Sequence, residues 1–538
     1  MARTPLLRAF RGLAEEHRAA ERRGLPPAEL RGERDEALSR REFVKRAGLA
    51  SAGLAVAPAA LARRAAGATA PRIAIVGGGI AGLTAALTLA DKGVAATVYE
   101  AADRVGGRMH SDNGGYWSDG QVSEFCGELI DTGHTTIRHL AQRFDLPTVD
   151  LLAAQPNGSE DTLYFLGGYY SPDDADRDFQ PIHNTLQGQV QATGYPTTYL
   201  VHTDAGIAFD QMTVYDWIET YVEGGHRSRM GRLLDAAYNE EYGAETRDQA
   251  ALNLMYLLGY ASSPGNFSIF GASDERYHIG GGNQLLPEAI RSYLGEPAVK
   301  LGYALQSIAA RADGTVSMTF STPGKQETVV ADHAILCMSF AVLRTLDYKN
   351  AGFDSLKKTA ITQLGAGRNS KLQLQFDSRF WYRLGSNGNV YSDLGIQNAW
   401  EVSRGQNGVS GLLVNYSGGN VAGAYKPSAP YSDAQSSSQV VTYAKQFLTR
   451  LETVYPGIGP HWNGKATLST PWLDPLLNCS YSYWKPGQYV GFSGYEGVAQ
   501  GRIHFAGEHC SQDFQGYMEG GAGEGARAAG EVLAALKK

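Results

Sequence analysis

Cysteine is scarce in this chain. Its four cysteines in 538 residues, Cys126, Cys337, Cys479 and Cys510, have neither the density nor the spacing of a disulfide framework or a zinc site, and no metal is expected. A stable membrane span is also missing: the Ala/Gly-rich run Ala47 to Leu61 falls short of the roughly 20 residues a transmembrane helix needs. Internal repeats and long low-complexity linkers are absent from the body. So is an excess of positive charge there. Residues 1–70 hold 14 of the 48 Lys and Arg and 8 of the 55 Asp and Glu, leaving 34 against 47 in the rest, which excludes nucleic acid as the expected partner. What remains is a large globular chain, 43% hydrophobic, long enough for two or three domains with substantial cores.

Glycine is what the chain has in informative places. Ile73, Ala74, Ile75 and Val76 form a buried-strand pattern, and Gly77, Gly79 and Gly82 follow as G-x-G-x-x-G at a strand-to-helix turn. The first two permit a tight turn and close approach of the backbone to a pyrophosphate, and the third lets helix and strand pack. The helix expected from Ile80 to Lys92 stops at Gly93, so its free N-terminal amides face the phosphates. A second strand, Ala95 to Tyr99, ends on Glu100, at the spacing of an acid that accepts hydrogen bonds from a ribose and repels the phosphate of NADP. Strand, glycines, helix, strand and terminal acid in this order read as a dinucleotide-binding unit, whereas three glycines alone would be a weak signal.

Beyond it, Met109 to Asp131 reads as a hairpin leaving the nucleotide fold. Residues 134–146 and about 205–262 read as mostly helical, with a Tyr-, Gly- and Asp-rich loop region between them. Gly243 is placed as the stop of one helix, and Thr246 with Gln249 as a capping box for the run Ala250 to Leu258. Strands are expected at Leu305 to Ala309 and Val316 to Phe320, with His333 to Met338 returning to the same sheet. Alternating strands such as Leu372 to Phe376 and Gly411 to Tyr416, with a helix near Ser437 to Tyr455, predict a separate, largely antiparallel layer.

At the amino end, Ser39 to Lys45 spells S-R-R-E-F-V-K ahead of the mild apolar stretch, with A-T-A at Ala68 to Ala70. This resembles a twin-arginine export signal with its cleavage site. Residues 1–38 form a charged, helix-prone extension to which no chemistry is assigned.

The amino-terminal glycines, R-V-G-G-R at Arg104 to Arg108, and the terminal F-A-G-E and G-Y-M-E-G-G segments together resemble the flavin amine oxidase superfamily, and bacterial L-amino-acid oxidases most. The resemblance runs from Arg72 to Leu536. It implies an α/β fold: a Rossmann-like, glutathione-reductase-like FAD domain over 71–135, 270–345 and 495–538, a helical insertion over 136–269, and a mixed-sheet substrate domain over 346–494. It implies FAD as cofactor, held by Gly77, Gly79, Ile80, Ala81, Gly82, Glu100, Ala101, Arg104, Gly106, Gly107, Arg108, Gly507, Glu508, Gly516, Tyr517 and Met518. Lys371, in G-R-N-S-K-L-Q-L-Q-F, matches the family's active-site lysine, which holds a water against the flavin, and Tyr517 stands as a wall of the substrate pocket. A homodimer is expected by the same analogy.

Two positions divide the readings. Cys479, in C-S-Y-S-Y-W-K-P-G, sits where monoamine oxidases bond the flavin covalently, but many relatives carry no bond, and Ser480 stands where the first aromatic of their tyrosine pair would be. Trp400 and Glu401 fall near where amino-acid oxidases place a substrate-binding tyrosine. The carboxylate-gripping Arg of that branch is missing, with Ile130 in its place and Arg138 nearby in a helix that reads as surface. The resemblance implies oxidative deamination of L-amino acids to 2-oxo acids, with O₂ as acceptor and release of ammonia and H₂O₂. A monoamine or polyamine oxidase is the alternative, and an FAD-dependent desaturase or non-catalytic flavoprotein a third.

Overall fold

The computed structural model describes residues 70–260 and 267–537. The charged extension and all but the last residue of the export signal lie outside the described residues. From Arg72 onward the chain forms one compact unit.

Its first layer is a five-stranded sheet in the order Ile503–Phe505, His333–Leu336, Ile73–Val76, Thr97–Tyr99, Val299–Lys300, parallel throughout. A parallel sheet covered on both faces needs continuous apolar strands, and Ile73–Val76 and His333–Leu336 are buried at every position. Helix Ile80–Ala90 leaves the first strand and is buried along most of its length, because the closing helix Met518–Ala535 lies on its outer side. Two glycines make that sandwich possible. A Cβ on Gly82 would stand 1.9 Å from the Gly77 carbonyl oxygen, and one on Gly525 would stand 2.0 Å from that of Ala81.

The hairpin Ser111–Asp112 with Ser123–Glu124 leaves this layer as the sequence suggested. Strands Ala304–Ala310, Val316–Thr322 and Lys325–Ala331 form a separate three-stranded antiparallel sheet. They do not share a sheet with His333–Leu336, which instead pairs with Ile73–Val76. A turn at Asp332, held by its bond to the Arg72 amide, separates the two pairings.

The second layer is an eight-stranded mixed sheet in the order Tyr431–Asp433, Trp462–Ser469, Asn369–Phe376, Gly411–Gly418, Gln397–Glu401, Ser386–Ser392, Glu160–Phe165, Gly168–Tyr170. All pairings are antiparallel except that of Ser386–Ser392 with Glu160–Phe165. Its central strand shows how two layers share one element. Leu372, Leu374 and Phe376 pack on Val440, Ala444, Phe447 and Leu451 of helix Ser438–Val454. The alternate side chains face the hairpin, where Gln373 Nε2 donates to the Glu124 carbonyl at 3.2 Å and Gln375 Nε2 to Gln121 Oε1 at 2.9 Å.

The segment read as a helical insertion is not all helix. Glu160–Phe165 and Gly168–Tyr170 complete the large sheet, and Thr148–Asp150 pairs with Tyr277–Ile279. The stretch read as loop holds a 22-residue helix, Pro172–Thr193, started by the Ser171 side chain on the Asp174 amide with Pro172 in the first turn. Gly243, at φ 64°, does end helix Arg229–Tyr242. The capping box does not form: Ala250 is the cap of helix Ala251–Leu258, while Gln249 Nε2 donates to the carbonyls of Tyr238 and Ala244. Among the described residues no helix is long and apolar enough to cross a membrane.

Candidate active site

A cavity of about 930 Å³ lies between the two layers. On the side of the parallel sheet it is lined by Gly77, Gly79, Ile80 and Ala81. The first intrahelical bond is donated by Leu83 to the Gly79 carbonyl, so the amides before it carry the unmet donors of a helix N-terminus into the cavity. Gly82 does not line the cavity. Its role is the packing of helix on strand, since any side chain there would strike Gly77.

Glu100, Ala101 and Arg104 follow on the wall. Glu100 Oε2 accepts from the Gly78 amide at 2.5 Å and Oε1 from the Ala102 amide at 2.8 Å, leaving each oxygen a further lone pair for a ribose hydroxyl. Burial raises its carboxyl above the usual range against the pull of those amides. Arg104 donates to the carbonyls of Val105 and Gly107 at 3.2 and 2.8 Å, bracing its own loop. That loop is locked to the glycine turn by the Gly106 amide on the Gly78 carbonyl at 2.9 Å. Gly107, at φ 56°, sits with its missing Cβ 3.5 Å from the Gly79 Cα, so the two glycine segments form a cradle that a side chain would fill.

Glu508 ties the carboxyl-terminal segment to this cradle. Oε1 accepts from Arg108 Nη1 at 2.9 Å and from the Ser482 amide at 3.2 Å, and Oε2 from Ser482 Oγ at 2.8 Å and the Gly516 amide at 2.9 Å. Burial alone would push this carboxyl up, but Arg108, His509 and Ser482 outweigh it and hold it lowered. Arg108 Nη1 also donates to the Ser480 carbonyl at 2.8 Å, so its described bonds use one guanidinium nitrogen and orient the rest. Gly507, Gly516, Tyr517 and Met518 complete this wall. The unmet helix amides, glycine cradle, buried acid and oriented Arg suit a dinucleotide, and Arg108 and Glu508 would hold its flavin half.

On the side of the large sheet stand Lys371, Trp400 and Tyr416, with Tyr481 and Tyr517 beside them. Lys371 is 5% exposed, and its Nζ donates to Glu128 Oε2 at 2.5 Å. Glu128 Oε1 accepts from Trp400 Nε1 at 3.0 Å. Tyr416 and Tyr481 share a hydroxyl–hydroxyl bond of 2.8 Å, and the rings of Trp400 and Tyr416 meet edge-on at 5.2 Å. Tyr517 donates to Glu241 Oε1 at 3.3 Å.

Glu401 is not at the cavity. Neighbours on a strand point to opposite faces, and with Trp400 facing in, Glu401 is buried beneath the sheet, accepting from Arg379 Nε, Trp381 Nε1 and Ser403 Oγ at 2.8, 3.1 and 2.8 Å. Cys479 is buried but is not among the lining residues, whereas Cys126 and Cys337 are. Ile130 is fully buried, its backbone bridging Tyr277. Arg138 donates to the Thr132 carbonyl and covers the Tyr277 ring, away from the cavity.

The cavity's ionisable side chains are unevenly distributed. Its lining cations are Lys371, bound to Glu128, and Arg104 and Arg108 at the glycine cradle. His110 is driven to the neutral form, pushed down to about 3 by burial and by Arg104. Against them, Glu241 and Glu275 face the cavity with no basic partner among the described residues. Burial, with Asp131 adding to it, pushes Glu241 up to about 8, and burial beside Glu241, Asp131 and Glu128 raises Glu275 too. Glu240 and Glu241 also occupy the last turn of helix Arg229–Tyr242, which has no basic residue there, although a helix C-terminus favours cations. Sequence reasoning missed Glu128, Glu241, Glu275, Tyr416 and Tyr481. Two of the five have a signal in the sequence: Glu128 lies two residues before Ile130, and Tyr481 two residues after Cys479. Among the described residues no cluster of His, Cys, Asp and Glu could hold a metal ion.

Comparison with known proteins agrees with this geometry. YobN of Bacillus subtilis, provisionally named an L-amino-acid oxidase, is 26% identical over 86% of this chain and 94% of its own length. A flavin-containing amine oxidase of Danio rerio is 24% identical over 87% and 86%. Among solved structures, cyclohexylamine oxidase from Brevibacterium oxydans superposes with a TM-score of 0.74 at 21% identity, covering 87% of this chain and all of that one. Putrescine oxidase bound to putrescine gives 0.72 at 17% identity, covering 86% and 99%. The family model of flavin-containing amine oxidoreductases matches residues 80–533, and the chain belongs to that family.

Proposed function

We propose that this protein oxidises a positively charged amine that carries no carboxylate, using non-covalently held FAD. The observation that carries the reading is the set of ionisable groups lining the cavity: Glu241 and Glu275, which burial holds toward the neutral form, can ionise against an arriving cation, and among the described residues no lining cation outside the glycine cradle is free to grip a carboxylate. FAD held there would supply a hydride acceptor for the carbon beside the nitrogen, with O₂ as the final acceptor of the electrons; the substrate, bound as an ammonium, must first give up a proton from that nitrogen, and the imine product hydrolyses in water.

The chain's own residues supply the rest. Trp400, Tyr416, Tyr481 and Tyr517 form aromatic walls that attract a cation by their faces and exclude water. Tyr517 bridges the wall to Glu241, and an ammonium docking there favours the ionised carboxylate. Cys479, outside the lining, supports a flavin without a covalent bond.

The second reading, an L-amino-acid oxidase, is favoured by the likeness to YobN. It requires a carboxylate grip that Lys371 could give only by releasing Glu128.

Anaerobic mixing with benzylamine, putrescine, L-phenylalanine and L-glutamine separates the two. The amines are expected to bleach the flavin at least 100-fold faster than the amino acids, and the reverse order would overturn the proposal. Acid precipitation of the same preparation should leave the flavin in the supernatant.

Export by the twin-arginine route belongs to the proposal, supported by Ser39 to Lys45 and the A-T-A at Ala68 to Ala70. Active protein found only in the cytoplasm would refute it.

A further inference from the structure

A lysine on the wall of a substrate cavity is the natural partner of a carboxylate, yet here it is already engaged. Lys371 Nζ is 2.5 Å from Glu128 Oε2, and both side chains are buried. Glu128 Oε1 takes the Trp400 indole N–H at 3.0 Å, and Lys371 Nζ lies 5.6 Å from the Trp400 ring. One acid thus joins two strands that do not pair with each other, Asn369–Phe376 and Gln397–Glu401, which flank Gly411–Gly418 on opposite sides.

The Glu128 backbone is fixed separately. Asn283 Nδ2 donates to the carbonyls of Gly127 at 3.0 Å and Glu128 at 2.7 Å, while Asn283 Oδ1 accepts from the Ile279 amide at 2.9 Å. A side chain on a pinned backbone with both oxygens in use is pre-organised. A ligand carboxylate that displaced it would strip an indole N–H and leave a second negative charge without a partner, each a desolvation cost.

We propose that Glu128 is the specificity-determining residue of the amine site: it neutralises Lys371, denies carboxylates their partner, and leaves the cavity wall attractive to cations. The proposal rests on the amine reading above. Removing the charge of Glu128 while keeping its shape would turn the wall beside Trp400 from neutral to positive and invert the preference there, because discrimination is a difference between two affinities.

Titration calorimetry of the flavin-loaded protein with benzoate and benzamidinium reads this without turnover. The two have one planar shape and opposite charge, and neither carries an oxidisable C–H beside an amine nitrogen. The unaltered protein is expected to bind benzamidinium at least ten-fold more tightly than benzoate. In Glu128→Gln benzoate should tighten ten-fold or more and benzamidinium weaken by a similar factor, and adding Lys371→Met should abolish the benzoate gain. Unchanged benzoate affinity in Glu128→Gln, or a gain that survives Lys371→Met, overturns the proposal. Where Glu128→Gln fails to retain flavin, Lys371→Met alone tests the other side of the pair: the uncovered carboxylate should strengthen benzamidinium binding several-fold, and no change would overturn the idea. The amine reading itself fails by a different result, bleaching of the unaltered flavoprotein by L-amino acids and not by amines.

Discussion

Trp400 and Glu401 are adjacent in sequence and do different work. Trp400 faces the cavity and Glu401 the protein interior, where its carboxylate meets Arg379, Trp381 and Ser403. Removing one partner of a buried, hydrogen-bonded charge pair costs about 3–5 kcal/mol. Glu401→Ala is therefore expected to lower the unfolding free energy by that order, while Trp400→Ala raises KM for amines with little loss of stability. Urea unfolding followed by circular dichroism, beside steady-state kinetics, checks both; a Glu401→Ala protein of normal stability and raised KM would put Glu401 back at the substrate. Strand alternation makes the opposition of these two side chains legible in the sequence. Which of them faces inward depends on Glu128 lying across from Trp400, a contact spanning 272 positions that no local pattern encodes.

The closing helix shows what an element can and cannot announce about itself. Its small residues promise tight packing, and the structure shows that its glycines are not alike. Gly525 faces the Ala81 carbonyl, whereas Gly523 has nothing within 4 Å of where a Cβ would stand. Gly525→Ala should cost about 1–3 kcal/mol by forcing the helices apart and speed flavin loss, because Ile80 and Ala81 lie on the cavity wall. Gly523→Ala should be neutral or stabilise by up to about 1 kcal/mol, the helix preference of Ala over Gly. Thermal unfolding with flavin fluorescence compares the pair, and equal effects would refute the packing account. Helix Pro172–Thr193 was hidden for the opposite reason. Pro181, Gly188 and a largely polar surface resemble a loop, but Ser171, Pro172 and the acids Asp173 and Asp174 form a readable start signal. Strands Glu160–Phe165 and Gly168–Tyr170 are hidden in the same stretch, because the hairpin they form joins the sheet only through the pairing of Glu160–Phe165 with Ser386–Ser392, more than 200 residues downstream.

At the scale of the molecule, the nucleotide layer was the most legible part, since strand, glycines, helix and acid follow one another within 30 residues. The substrate side was the least legible: Glu128, Glu241, Glu275, Lys371 and Trp400 come from separate stretches and acquire meaning only when the layers meet. The compact unit begins at Arg72, just after the A-T-A at Ala68 to Ala70. Replacing Arg40 and Arg41 by Lys should accordingly leave a folded, flavin-loaded oxidase that stays inside the cell, as fractionation with absorbance at the flavin band would record. Loss of flavin binding in that variant would contradict the independence of the body.

The order of the parallel sheet also sets a timetable for synthesis. Its edge strand Ile503–Phe505 and the helix carrying Met518 come after every other strand of that sheet in the chain, so the cofactor site stays open on one side until both have been made. Tight capture of the flavin then waits for the segment that carries Glu508 and Met518, however early the glycine turn is ready to receive it.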